Sequence, residues 1–141
     1  MRPASIVNFE RVVLLSVLLT LVSLAMNWDA VMAAFAPYRV GATFILVAHA
    51  VLIGLFLLIL WLVSRRGSPV AKWIYVLIVV LSLLVNLTAY PSLLASGQAS
   101  PIIMTVAQDV LIVLSLWFLF RPESAPWFRR AGADSSPAEP A

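Results

Sequence analysis

A chain of 141 residues with a net charge of +3 is 63% hydrophobic and 11% charged, where soluble domains average roughly 45–50% and about 25%. A soluble protein this small has too little interior to hide that much apolar side chain from water. Soluble globular, disordered and fibrous classes are excluded, and the composition places the chain in a bilayer. The sequence holds no cysteine, which excludes a disulfide framework, a thiol nucleophile and a thiolate metal site.

The first apolar run, Val12–Trp28, is short for a span. It extends back through Ile6, Val7 and Phe9 to cover about 6–28, leaving Glu10 and Arg11 at headgroup level. The stretch Asp29–Gly41 reads as an apolar loop lying in the membrane interface, placed to cover polar groups beneath it. A second run, Ala42–Val63, is separated from a third, Trp73–Tyr90, by the turn residues Arg66-Gly67-Ser68-Pro69. Pro91 is expected to end the third span, and a Ser/Gly/Gln stretch up to Pro101 leads into the fourth, Ile102–Phe120. At about 1.5 Å per helical residue, these lengths suit a hydrocarbon core of roughly 30 Å. Unbroken apolar runs without alternation predict helices. The fold class is therefore an all-α membrane protein: a four-helix transmembrane bundle forming one domain over residues 1–130. Residues 121–130 read as an interfacial anchor, and the Ala/Pro/Ser/acidic tail 131–141 is expected to be disordered.

Eight of the nine Lys and Arg flank one side of the four spans, and only Arg39 falls on the other. The positive-inside rule then predicts N-in/C-in topology, with both termini cytoplasmic. Trp61, Trp73, Tyr75 and Trp117 fall at the inner interface of this arrangement, and Trp28, Tyr38 and Tyr90 at the outer one. The basic pI of about 10.0 is explained by topology and by attraction to anionic lipid headgroups. Nucleic acid is not needed as a partner. Residues 1–36 also carry the basic start, apolar stretch and small residues of a secretory signal. Glu10 before the apolar stretch and Pro37 after Ala36 weigh against cleavage there.

Two segments resemble each other. The run from Arg2 to Arg11, RPASIVNFER, matches the run from Arg121 to Arg130, RPESAPWFRR, at five of ten positions. One precedes the first span and the other follows the last. Arg2, Phe9, Arg11, Arg121, Trp127, Phe128 and Arg130 thus read as interfacial anchors, or as a docking site for a partner or lipid headgroups. The opening R-P-x-S-I-x-x-F-E-R, four short spans and closing L-F-R-P-x-x-x-x-W-F resemble a family of uncharacterised small proteobacterial membrane proteins. That resemblance covers the whole chain and implies a multi-pass protein of the bacterial inner (plasma) membrane. It brings no functional residues with it.

Polar residues inside the spans cost free energy and need a reason. His49 and Asp109 lie equally deep on parallel spans, roughly 10 Å below the outer edge. Asn86 and Gln108 fall in the same layer, and Ser16, Thr20, Ser23 and Asn27 form one helical face leading to it. Three readings stay open. Asp109 accepts hydrogen bonds from His49, Gln108 or Asn86 in a network that fixes helix register. Alternatively, His49, Asp109, Asn86, Gln108 and Ser23 form a ligand or ion cavity open to the outer side. A metal or haem site is the third, although one His and one carboxylate are too few unless a dimer supplies the rest.

Glu10 invites comparison with the small multidrug-resistance transporters, which carry a carboxylate in the first of four short spans. Theirs lies well inside the membrane among aromatics, whereas Glu10 stands beside Arg11 at the boundary. Ala50 and Gly54 form a small-xxx-small pair that admits another helix closely, either within the chain or in a homo-oligomer. No nucleophile set, phosphate loop or metal-ligand spacing is visible, so no enzymatic activity and no cofactor or metal is expected. The two functions in play are a structural or accessory membrane protein and a small transporter or ligand-binding protein.

Overall fold

A computed structural model describes residues 2–133. The chain is all helical there, with four helices long and apolar enough to cross a membrane. These are α1 (Ala4–Met26), α3 (Ala42–Ser64), α4 (Pro69–Ala95) and α5 (Ala99–Leu119); the short helices are α2 (Trp28–Phe35) and α6 (Ala125–Ala133). From residue 134 on, the expected tail lies outside the described residues, as does the side chain of Arg130.

Helix boundaries follow local chemistry. The turn before α4 is made by Gly67, whose φ of +62° suits a residue without Cβ. Ser68 caps α4 by accepting from the Ala71 amide at 3.2 Å, and Pro69 opens the first turn, where no amide hydrogen is needed. Contrary to expectation, α4 runs through Pro91 to Ala95. Proline removes one helical hydrogen bond, which a transmembrane helix tolerates near its end because neighbouring groups and water meet the freed carbonyl. The expected loop after the first span is in part helical. The chain breaks at Asn27 and resumes as α2, followed by a turn over Ala36–Tyr38 closed by Arg39 at φ +54°.

The four long helices form an up-and-down square. Each packs against its two neighbours in the order α1, α3, α4, α5, with α1 and α5 making the most extensive contact. Helices α3 and α5 thus lie diagonally opposite, a point that decides the site. Only 17% of each apolar window is buried within the chain, so most apolar side chains face the lipid. Apolar burial gains little when lipid tails are the alternative solvent, leaving dispersion and interhelical hydrogen bonds to hold the bundle.

Those contacts concentrate at the end where the termini and the α3–α4 turn meet, here called the basic end. Phe9, Val13, Val63, Tyr75, Val79 and Leu119 are essentially inaccessible. The Phe9 ring meets Tyr75 edge-on at 5.1 Å, and Phe56 lies tilted over the same ring at 5.6 Å. The Tyr75 hydroxyl reaches Ser115 Oγ at 2.6 Å. Tyr75 was placed at the membrane interface by its position in the sequence; it is a core residue, 1% exposed.

The two similar terminal segments find each other here. Ser5 and Ser124, equivalent in the repeated R-P-x-S, are both buried and lie 2.9 Å apart through their hydroxyls. Ser124 also reaches the Phe118 carbonyl at 3.0 Å. The equivalent Phe9 and Phe128 are both core residues. The indole of Trp127 donates to the Val63 carbonyl at 3.2 Å, and Lys72 lies over the rings of Phe120 and Phe128. Glu10 is bonded to Arg2 and, at 3.1 Å, to Arg65. Of the segments read as anchors or partner-docking motifs, Ser5, Phe9, Ser124, Trp127 and Phe128 thus help close the basic end of their own bundle, while Arg11 and Arg129 are exposed.

Candidate functional site

The opposite half of the bundle is looser and holds the polar residues. Gln108 is the centre of what assembles there. Its Nε2 donates to Ser16 Oγ at 2.7 Å and to Thr20 Oγ1 at 3.2 Å, joining α5 to α1. Thr20 has already given its own proton to the Ser16 carbonyl at 3.0 Å, so the group facing it must be a donor, which orients the amide. The amide oxygen Oε1 is then left buried with no partner, alone in this among the described side chains.

Gln108, Ser16 and Thr20 line a cavity of about 440 Å³ between the helices. His49 and Ser82 add polar groups, and Leu52, Phe56, Ile59 and Val79 form apolar walls. A second cavity of about 280 Å³ shares Thr20, His49 and Gln108 and continues past Ser23 and Asn86 to Val31 of α2. Of the segment expected to cover the polar layer, Val31 of this short helix borders the cavity. His49 Nδ1 lies 2.8 Å from the Ile45 carbonyl, which can only accept, so Nδ1 carries a hydrogen. In the neutral ring, Nε2 is then a bare acceptor.

Asp109 is elsewhere. Its carboxylate accepts from Asn86 Nδ2 at 2.7 Å and from the Tyr90 hydroxyl at 2.8 Å. It borders an open groove on the outside of the bundle, with Tyr90, Val106, Val110, Val113, Leu114 and Trp117. The expected meeting of His49 with Asp109 does not occur. Equal depth was read correctly, but their helices are diagonal in the square, and consecutive residues Gln108 and Asp109 point about 100° apart on α5. Of the hydrogen bonds expected for Asp109, only that from Asn86 forms. Tyr90 was read only as an interfacial aromatic, although its i, i+4 spacing from Asn86 already put both on one face of α4. Ser23 borders the second cavity, and its backbone carbonyl accepts from Asn27 at 2.9 Å.

Ala50 and Gly54 are exposed, and nothing lies within 4 Å of where a Cβ on Gly54 would sit, so no helix of this chain uses that close approach. Among the described residues, no three His, Cys, Asp or Glu side chains gather as a metal would require. No protein-family model, curated protein or solved structure matches the chain.

Proposed function

We propose that this chain is a membrane-embedded binding protein, without catalytic activity, that holds a small, largely apolar molecule carrying a hydrogen-bond donor. The observation that carries this reading is the cavity itself, in which Gln108, Ser16, Thr20, His49 and Ser82 stand among apolar walls, with the Gln108 Oε1 buried and unpartnered beside it. Leaving such an acceptor unpaired costs roughly 1–3 kcal/mol, which a rotation of the Gln108 side chain toward a bound donor would recover. His49 Nε2 offers a second acceptor, and the apolar walls suit a hydrocarbon body. The volume of about 440 Å³ falls within the usual range for small-molecule sites, roughly 300–1,000 Å³. In this proposal the cavity opens toward the periplasmic side of a bacterial inner membrane and both termini are cytoplasmic. The distribution of Lys and Arg supports that direction, and the family resemblance supports the compartment.

The test uses the purified chain in detergent with 1-aminoanthracene, an apolar probe with one amine donor, against anthracene, which has none. The amine should bind at least about tenfold more tightly, one hydrogen bond's worth at a buried polar site. Gln108→Leu and His49→Leu together should erase that preference while leaving helicity unchanged. Equal binding of both probes, or a preference that survives the double substitution, refutes the reading.

A further inference from the structure

We propose that the Asp109 face of α5 docks a different membrane protein, one whose transmembrane helix presents a single lysine or arginine at the same depth. Asp109 sits at the middle of the 21-residue α5, far from either end. Val106 and Val113, one turn to either side of it, and Val110 and Trp117 on the stripe beside it are all exposed, so this flank of α5 faces away from the bundle. Gln108, Ile112, Ser115 and Leu119 form the face turned toward the bundle. A carboxylate at mid-depth is costly in lipid and ordinarily points to a bundle interior, a water-filled cavity or a partner. Here it borders a shallow apolar groove of about 500 Å³, the shape that receives one side of a helix.

Charge decides what kind of helix. Two neutral donors, Asn86 and Tyr90, each hold one carboxylate oxygen and fix its position, yet no cation among the described residues pairs with it. No Lys or Arg lies in the middle third of any spanning helix, and His49 lines the interior cavity instead. A second copy of this chain therefore has no cation to offer at that depth, and pairing about a twofold axis would set two carboxylates against each other. A foreign helix bearing one central cation supplies the missing charge and covers the exposed valines and Trp117. This surface is separate from the cavity, so the two proposals stand or fall independently.

The experiment places the fluorescently labelled full chain in phosphatidylcholine vesicles with synthetic Leu/Ala transmembrane peptides, read by energy transfer. One peptide carries Arg at its centre, one Leu there, and one Arg near an end. The central-Arg peptide should associate at least about tenfold more strongly than either of the others, because only it neutralises a mid-membrane carboxylate. Asp109→Asn, equal in size, should erase that preference. Val113→Trp crowds the groove without touching the carboxylate and should weaken binding while leaving thermal unfolding unchanged; it decides the matter if Asp109→Asn fails to fold. Equal association of the peptides, a preference that persists in Asp109→Asn, or binding unaffected by Val113→Trp would overturn the proposal. So would self-association of the chain that disappears in Asp109→Asn, which would assign the face to a second copy.

Discussion

The Tyr75–Ser115 bond makes an asymmetric prediction about the floor of the cavity. Phe56 lines that cavity and leans on Tyr75, which Phe9 backs from the basic end. Ser115 Oγ lies 2.6 Å from the Ile112 carbonyl and 2.6 Å from the Tyr75 hydroxyl. A serine has one proton and the carbonyl can only accept, so Ser115 donates to Ile112 and Tyr75 donates to Ser115. Tyr75→Phe removes a donor and leaves Ser115 still bonded to Ile112. The expected loss is that of an average interhelical hydrogen bond in a membrane protein, about 0.6 kcal/mol. Ser115→Ala instead strands a tyrosine hydroxyl in a residue only 1% exposed, which costs roughly 1–3 kcal/mol. Combining both substitutions removes the stranded group, so the double variant should be more stable than Ser115→Ala alone. Equilibrium unfolding in mixed micelles of increasing dodecyl sulfate content, followed by tryptophan fluorescence, measures all four proteins. If Tyr75→Phe costs as much as Ser115→Ala, the assigned direction of donation is wrong; if the two losses simply add, the two hydroxyls do not interact.

At the basic end, Glu10 bridges Arg2 and Arg65 while keeping contact with water. Glu10→Gln should cost no more than about 1 kcal/mol at low ionic strength, as partly exposed pairs do, and the difference should shrink in 0.5–1 M salt (about a 3 Å screening length at the upper end); the same micelle titration at two salt levels reads it, and a salt-independent loss would count against an ionic role. The natural absence of cysteine gives a clean background for joining Ser5→Cys with Ser124→Cys. Mild oxidation should yield a monomer cross-linked within the chain, seen as faster gel migration reversed by reductant. A cross-linked dimer, or no cross-link at all, would contradict the mating of the two terminal segments.

Level along the bundle was legible in the sequence, and angle around each helix was legible only in part. Counting residues from the ends of the runs placed His49, Asn86, Gln108 and Asp109 in one layer. It took no account of the roughly 100° turn between consecutive residues, which separates the interior Gln108 from the outward Asp109. The stripe Val106, Asp109, Val110, Val113, Trp117 and the stripe Gln108, Ile112, Ser115, Leu119 are both present in the letters of the chain. Only the packing shows which of the two turns inward. The diagonal relation of α3 and α5 is a property of the assembled square, and no local pattern announces it. The likeness of Arg2–Arg11 to Arg121–Arg130 was visible and both segments were expected on the same side of the membrane, but they were read as interfacial anchors or a docking site and not as partners of each other. Antiparallel helices bring the two segments to the same end, so the matched serines meet.

The two halves of the bundle solve the membrane problem in different ways, and the difference favours binding over a purely structural role. At the basic end, polar groups are small hydroxyls with partners close by: Ser115 with Tyr75, and Ser124 with Ser5 and the Phe118 carbonyl. Interhelical register would be fixed by those contacts alone. If register were also the whole purpose of the opposite half, a hydroxyl in place of Gln108 would serve the contact to Ser16 without stranding an amide oxygen. Instead the larger amide spends both hydrogens on α1 and leaves its acceptor buried and unpartnered beside a cavity, near a histidine whose Nδ1 hydrogen is already committed. An amide oxygen left without a donor beside an apolar-walled cavity is poor packing for a purely structural role.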